Sequence, residues 1–98
     1  MKVLQIIDSL EPGGAERMAV NYANMLAENN QSYLCATRQE GALKSSLKAQ
    51  VGYLFLNKKS RLDVSAMQRL SDYIKQNNIE VIHAHSSSFF LSILAKMV

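Results

Sequence analysis

Apolar and polar positions along the chain switch repeatedly between a strand-like and a helix-like period. Val3-Leu4-Gln5-Ile6-Ile7 is a near-continuous apolar run, the pattern of a parallel strand covered on both faces, and predicts a strand over residues 3–8. Ala15, Met18, Ala19, Tyr22, Ala23 and Leu26 then recur at spacings of three and four, which makes one helical stripe. Asn29-Asn30 closes that helix, residues 32–37 read as a second strand, and Arg38 is expected beyond its C-terminal end. After a turn at Gly41, Leu43 and Leu47 predict a short helix reaching about residue 50. A third strand follows over residues 51–56, with Gly52 a weak point in it. Asp63 is a good N-cap for a helix whose expected buried stripe is Val64, Met67, Leu70, Tyr73 and Ile74. Asn77-Asn78 ends it, residues 79–84 form a fourth strand, and a last helix is expected from near Ser87.

Strands alternating with helices imply right-handed βαβ crossovers and a parallel sheet with helices on both faces, an α/β, Rossmann-like class. A doubly wound order of 3-2-1-4 puts the switch point, where such sheets bind ligands, between strands one and four. Two sequence features flank that crevice. After the first strand comes Asp8-Ser9-Leu10-Glu11-Pro12-Gly13-Gly14-Ala15-Glu16, two glycines at a helix N-terminus. Backbone can approach a ligand closely there, and the unpaired N–H groups of the helix favour an anion. The spacing is neither G-x-G-x-x-G nor a P-loop, so both of those nucleotide fingerprints are excluded. A tight βα connection that uses glycine for geometry alone is the competing reading. At the other side, Ile79-Glu80-Val81-Ile82-His83-Ala84-His85-Ser86 sets two histidines two residues apart, on one side of a strand. His85, at the strand's mouth, suits hydrogen bonding or proton transfer near neutral pH. His83, deeper in, reads as a satisfied core histidine that orients its neighbour. Ser86, Ser87 and Ser88 lack a G-x-S-x-G elbow and read as helix caps.

Composition adds bounds. Ninety-eight residues suit one small domain, and 48% hydrophobic with 19% charged residues is ordinary for a globular protein. The net charge of +3 is scattered, so nucleic acid is not an expected partner. Lys58-Lys59-Ser60-Arg61 is the one local cluster, either a solvated loop or a contact for anionic lipid or phosphate. The single cysteine, Cys35, lies in an apolar stretch and is expected to be a buried thiol. No metal site is expected, because no further ligand accompanies the two histidines at suitable spacing. Residues 89–98 are apolar on nearly all faces. That reads as a truncated helix of a larger protein, with a homodimer contact as the competing idea. A leader or membrane span is not indicated, and a cytoplasmic location is expected.

With Gly13-Gly14-Ala15-Glu16 and Ile82-His83-Ala84-His85-Ser86 about 70 residues apart and expected at one cleft, the chain resembles the N-terminal domain of a family 4 glycosyltransferase. These are retaining enzymes of the GT-B fold, in which two Rossmann-like domains face each other. The resemblance runs from Lys2 to the end of the chain. It implies that Gly13 and Gly14 lie against the donor's diphosphate and that His85, the catalytic candidate, lies near the transferred sugar and the acceptor. It places His83 among the substrate-binding candidates, its role less defined, and leaves Glu16 a structural residue at the helix start. It implies a nucleotide-sugar donor, a carbohydrate or lipid-linked acceptor as in polysaccharide biosynthesis, no cofactor and no metal. Peripheral contact with the inner face of a membrane would fall to Lys58, Lys59 and Arg61. The whole chain, residues 1–98, would be the acceptor-side domain, inactive without a C-terminal donor-binding domain. A stand-alone phosphate- or nucleotide-binding module of flavodoxin-like type is the alternative.

Overall fold

The computed structural model describes residues 1–60 and 63–85. Its elements are β1 (Lys2–Ser9), α1 (Gly14–Leu26), β2 (Gln31–Gln39), a 3-10 turn (Ala42–Ser46), β3 (Gly52–Phe55), α2 (Val64–Gln76) and β4 (Val81–Ala84). The four strands form one parallel sheet in the order β3-β2-β1-β4. This is the expected 3-2-1-4 arrangement, with β1 in the interior because both of its faces are apolar.

Two cores explain the strand's composition. On one face Leu4, Ile6, Cys35 and Leu56 pack against Ala66 and Leu70 of α2. On the other, Ile7, Leu34, Ala36 and Val51 pack against Ala19, Val20 and Ala23 of α1. Asp63 caps α2 by accepting a hydrogen bond from the Ala66 N–H at 3.0 Å, and also accepts from the Lys59 N–H at 2.9 Å. These two bonds hold its carboxyl below the ordinary range. Asn78 closes that helix in the left-handed region, φ 53°, where asparagine is tolerated better than most residues.

Several local expectations are corrected. The buried side of α1 is Ala19, Val20 and Ala23, whereas Met18 is half exposed. Val64 begins α2 on its open side and is 71% exposed, because its position in the first turn carries it off the sheet. The helix expected to reach residue 50 is only the five-residue 3-10 turn. Arg38 lies inside β2 rather than past it, and Gly52 opens β3 instead of interrupting it. Cys35 is wholly buried, and burial raises its thiol pKa far above the ordinary value. No described helix is long and apolar enough to cross a membrane. Arg61, Ser86 to Ser88 and residues 89–98 lie outside the described residues.

Candidate functional site

Parallel pairing of β1 with β4 sets Gln5 opposite His83 and Ile6 opposite Ala84, so the C-terminal ends of the two strands share one edge of the sheet. The His85 N–H donates to the Ile6 carbonyl at 2.9 Å, carrying the pairing one residue past β4. The ring of His85 turns back onto the α1 side of the sheet. Its Nε2 lies 2.8 Å from Gln5 Oε1, a buried contact. His85 is 7% exposed; burial, and then the neighbouring His83, push its pKa below the ordinary 6.5, which favours the neutral ring.

His83 departs from its expected place. Its side chain shares a face with His85, as period two requires, but it is exposed rather than deep in the core. The reason is position. β4 has one paired neighbour among the described strands, and among the described residues it is α1, through Tyr22, that stands over this part of the sheet. His83 touches its neighbour through the rings: the two centroids are 4.2 Å apart. Tyr22 of α1 stands over both, at 5.6 Å from the His83 ring and 6.4 Å from that of His85. Beside them an apolar groove of about 360 Å³ runs between α1 and β4, walled by Val3, Tyr22, Met25 and Val81.

The segment after β1 is fixed from below. A register shift between Ile7 and Ser9 bends β1 at its end, as bulges commonly do at functional edges. There Thr37 Oγ1 donates to Asp8 Oδ1 at 2.8 Å. Leu10 is buried; its N–H donates to the Gln39 carbonyl at 3.2 Å and its carbonyl accepts from the Leu43 N–H at 3.0 Å. Gly41 lies directly under this peptide: a Cβ on it would come 2.5 Å from Leu10 and Glu11 backbone atoms.

Gly13 is the N-cap of α1, with extended backbone and no side-chain cap. Neither it nor Gly14 has positive φ, so conformational freedom does not explain the pair. Space does, and differently at each position. A Cβ on Gly13 would come 2.5 Å from Glu16 Oε1, whereas one on Gly14 would meet nothing within 4 Å. Glu16, in the first turn, thus folds its carboxylate back on the helix terminus, where negative charge is favoured. This agrees with a structural role for that residue. The open side of the terminus is at Gly14.

Gln5 and Tyr22 are the residues that motif reading passed over. Gln5 had a detectable signal: it is the one polar residue in the apolar run 3–7 of a strand covered on both faces, so it needs a partner. Tyr22 had none, since it reads as part of a helical stripe. Lys59 is exposed while Lys58 is half buried, with its N–H donating to the Thr37 carbonyl at 2.7 Å. Among the described residues, no three His, Cys, Asp or Glu side chains come together as a metal site.

No curated protein matches this chain. The family model of Glycosyltransferase Family 4 matches residues 12–98, a span that takes in the loop glycines, Tyr22 and both histidines. The chain belongs to glycosyltransferase family 4.

Proposed function

We propose that this chain is the N-terminal, acceptor-side domain of a GT-B glycosyltransferase. The whole protein would move a sugar from a nucleotide-diphosphate donor to a carbohydrate or lipid-linked acceptor, with retention at the anomeric carbon. The observation that supports this reading most is a juxtaposition. The helix terminus open at Gly14 follows β1, the imidazole of His85 follows β4, and the two strands are neighbours in one parallel sheet.

The chemistry suits those groups. Transfer builds negative charge on the departing phosphate. The first N–H groups of α1 have no carbonyl partner within the helix, and backbone donors aimed at developing charge stabilise it without reorganising. Glu16 occupies the Gly13 side of that terminus, so a diphosphate would approach at Gly14, where a Cβ would meet nothing within 4 Å beyond its chain neighbours and the helix's own backbone. His85 would hydrogen-bond a hydroxyl of the sugar or acceptor, and a neutral ring can accept such a bond. The exposed His83 would line the same surface. Grip on the nucleotide itself would come from a second domain, so the 98 residues alone are expected to transfer no sugar. Lys58, Lys59 and Arg61 are the candidates for contact with a membrane surface at its cytoplasmic face.

The test is donor hydrolysis and sugar transfer by the full-length enzyme and two variants. His85→Ala, which removes the partner of a substrate hydroxyl, and Gly14→Val, which fills the space where phosphate would meet the helix N–H groups, should each lower kcat/KM by about tenfold or more, a lost contact to developing charge being commonly worth ~100-fold. Wild-type rates in both variants would overturn the reading.

A further inference from the structure

Gln5 is 1% exposed, in the middle of a strand whose other inward residues are all hydrocarbon. Packing alone would favour leucine or methionine there, because a buried amide must find a partner to offset its lost hydration. The partner it has is a ring. Gln5 Oε1 lies 2.8 Å from Nε2 of His85, and a carbonyl oxygen can only accept, so with the amide oxygen turned to the ring this contact is a hydrogen bond in the Nε2–H tautomer. In a neutral imidazole that leaves Nδ1 bare. The backbone of His85 is tied to the same strand through the Ile6 carbonyl, so main chain and ring are both anchored on β1. The adjoining His83 meets His85 through ring contact at 4.2 Å between centroids, and ring contact does not choose between tautomers.

We propose that Gln5 is a positioning residue for His85: it holds the imidazole as the Nε2–H tautomer in one orientation and reserves Nδ1 to accept a hydrogen bond from a substrate hydroxyl. The proposal rests on the reading of His85 as the residue that meets sugar or acceptor. Gln5 touches no substrate itself and acts through the ring. Its contribution is that the ring arrives with the correct nitrogen bare, so no tautomer change precedes the hydrogen bond to substrate.

The test joins tautomer spectroscopy to kinetics in the full-length enzyme. With histidine labelled in ¹⁵N, long-range proton–nitrogen correlation should report a protonated Nε2 and a bare Nδ1 for His85. A wild-type ring carrying the proton on Nδ1 would overturn the proposal without any variant being made. Gln5→Met keeps the side-chain length and removes the acceptor. It should give a mixture of tautomers and lower kcat on the order of 10- to 100-fold, the range seen when the partner that orients a metal-bound histidine is removed. The acceptor KM should stay within about twofold. Gln5→Glu retains an acceptor oxygen at the same length and should restore the Nε2–H form. Wild-type tautomer and kcat in Gln5→Met, with His85→Ala inactive, would overturn this proposal and leave the functional reading intact. Undiminished transfer by His85→Ala would overturn the functional reading, and with it the catalytic part of this proposal, even if the tautomer still followed Gln5.

Discussion

Gly13 and Gly14 are adjacent, yet different neighbours account for them. At Gly13 the space a methyl group would take is filled by the Glu16 carboxylate, the end of a flexible side chain; at Gly14 it is filled by nothing. Substitution should therefore separate folding from function. Gly14→Ala adds a methyl to open space at the first helical position, where alanine lowers the entropy of the unfolded chain. The fold should be unchanged or more stable by up to ~1 kcal/mol, while kcat/KM for the donor falls about tenfold. Gly13→Ala should instead destabilise by about 0.5–1 kcal/mol, alanine being a poor N-cap, with part of that loss recovered when Glu16→Ala is added. Urea midpoints and donor kinetics on the four proteins check this. Equal loss of stability in both single variants would mean that Gly14, too, is held by packing.

At the level of elements, the alternation of periods was enough to read off a parallel sheet in 3-2-1-4 order. What it could not supply was how far each helix is rolled. Both Val64 and Leu70 fit a stripe, but Leu70 packs against Leu4 and Ile6 of β1 and is fully buried, while Val64 is 71% exposed. Spacing alone does not separate them, since the first turn of a helix can overhang the surface it packs on. The same limit explains His83. Period two places it on the face of His85, but burial depends on what covers β4, and that is set by Tyr22 and α1 rather than by local pattern. Leu70→Ala should accordingly cost about 2–5 kcal/mol, and Val64→Ser less than about 0.5 kcal/mol. Denaturant unfolding of the two variants checks the difference. A large loss at Val64 would mean that a further element packs there.

At the scale of the whole molecule, the sheet separates two cores, and Cys35 sits on β2 inside the one beneath α2. No solvent reaches it, and burial disfavours its thiolate, with Arg69 opposing that only in part. The thiolate is the reactive form, so the thiol should be inert for as long as β2 stays packed between its neighbours and α2. Its reactivity thus becomes a gauge of opening. Breaking the helix-to-sheet contact should expose it sooner than disturbing the candidate site at the edge of the sheet. Under a disulfide reagent at pH 8, wild-type protein should label at a rate set by rare unfolding. Leu70→Ala should raise that rate by about 30-fold or more, as a ~2 kcal/mol loss of stability requires when reclosing outpaces labelling. Gly14→Ala should leave it unchanged or slow it by up to about fivefold, the equivalent of a gain of up to ~1 kcal/mol, because α1 covers the opposite face and loses no stability. Fast labelling of the wild-type chain would show that the two cores open independently and that the α2 side is not held by the packing described.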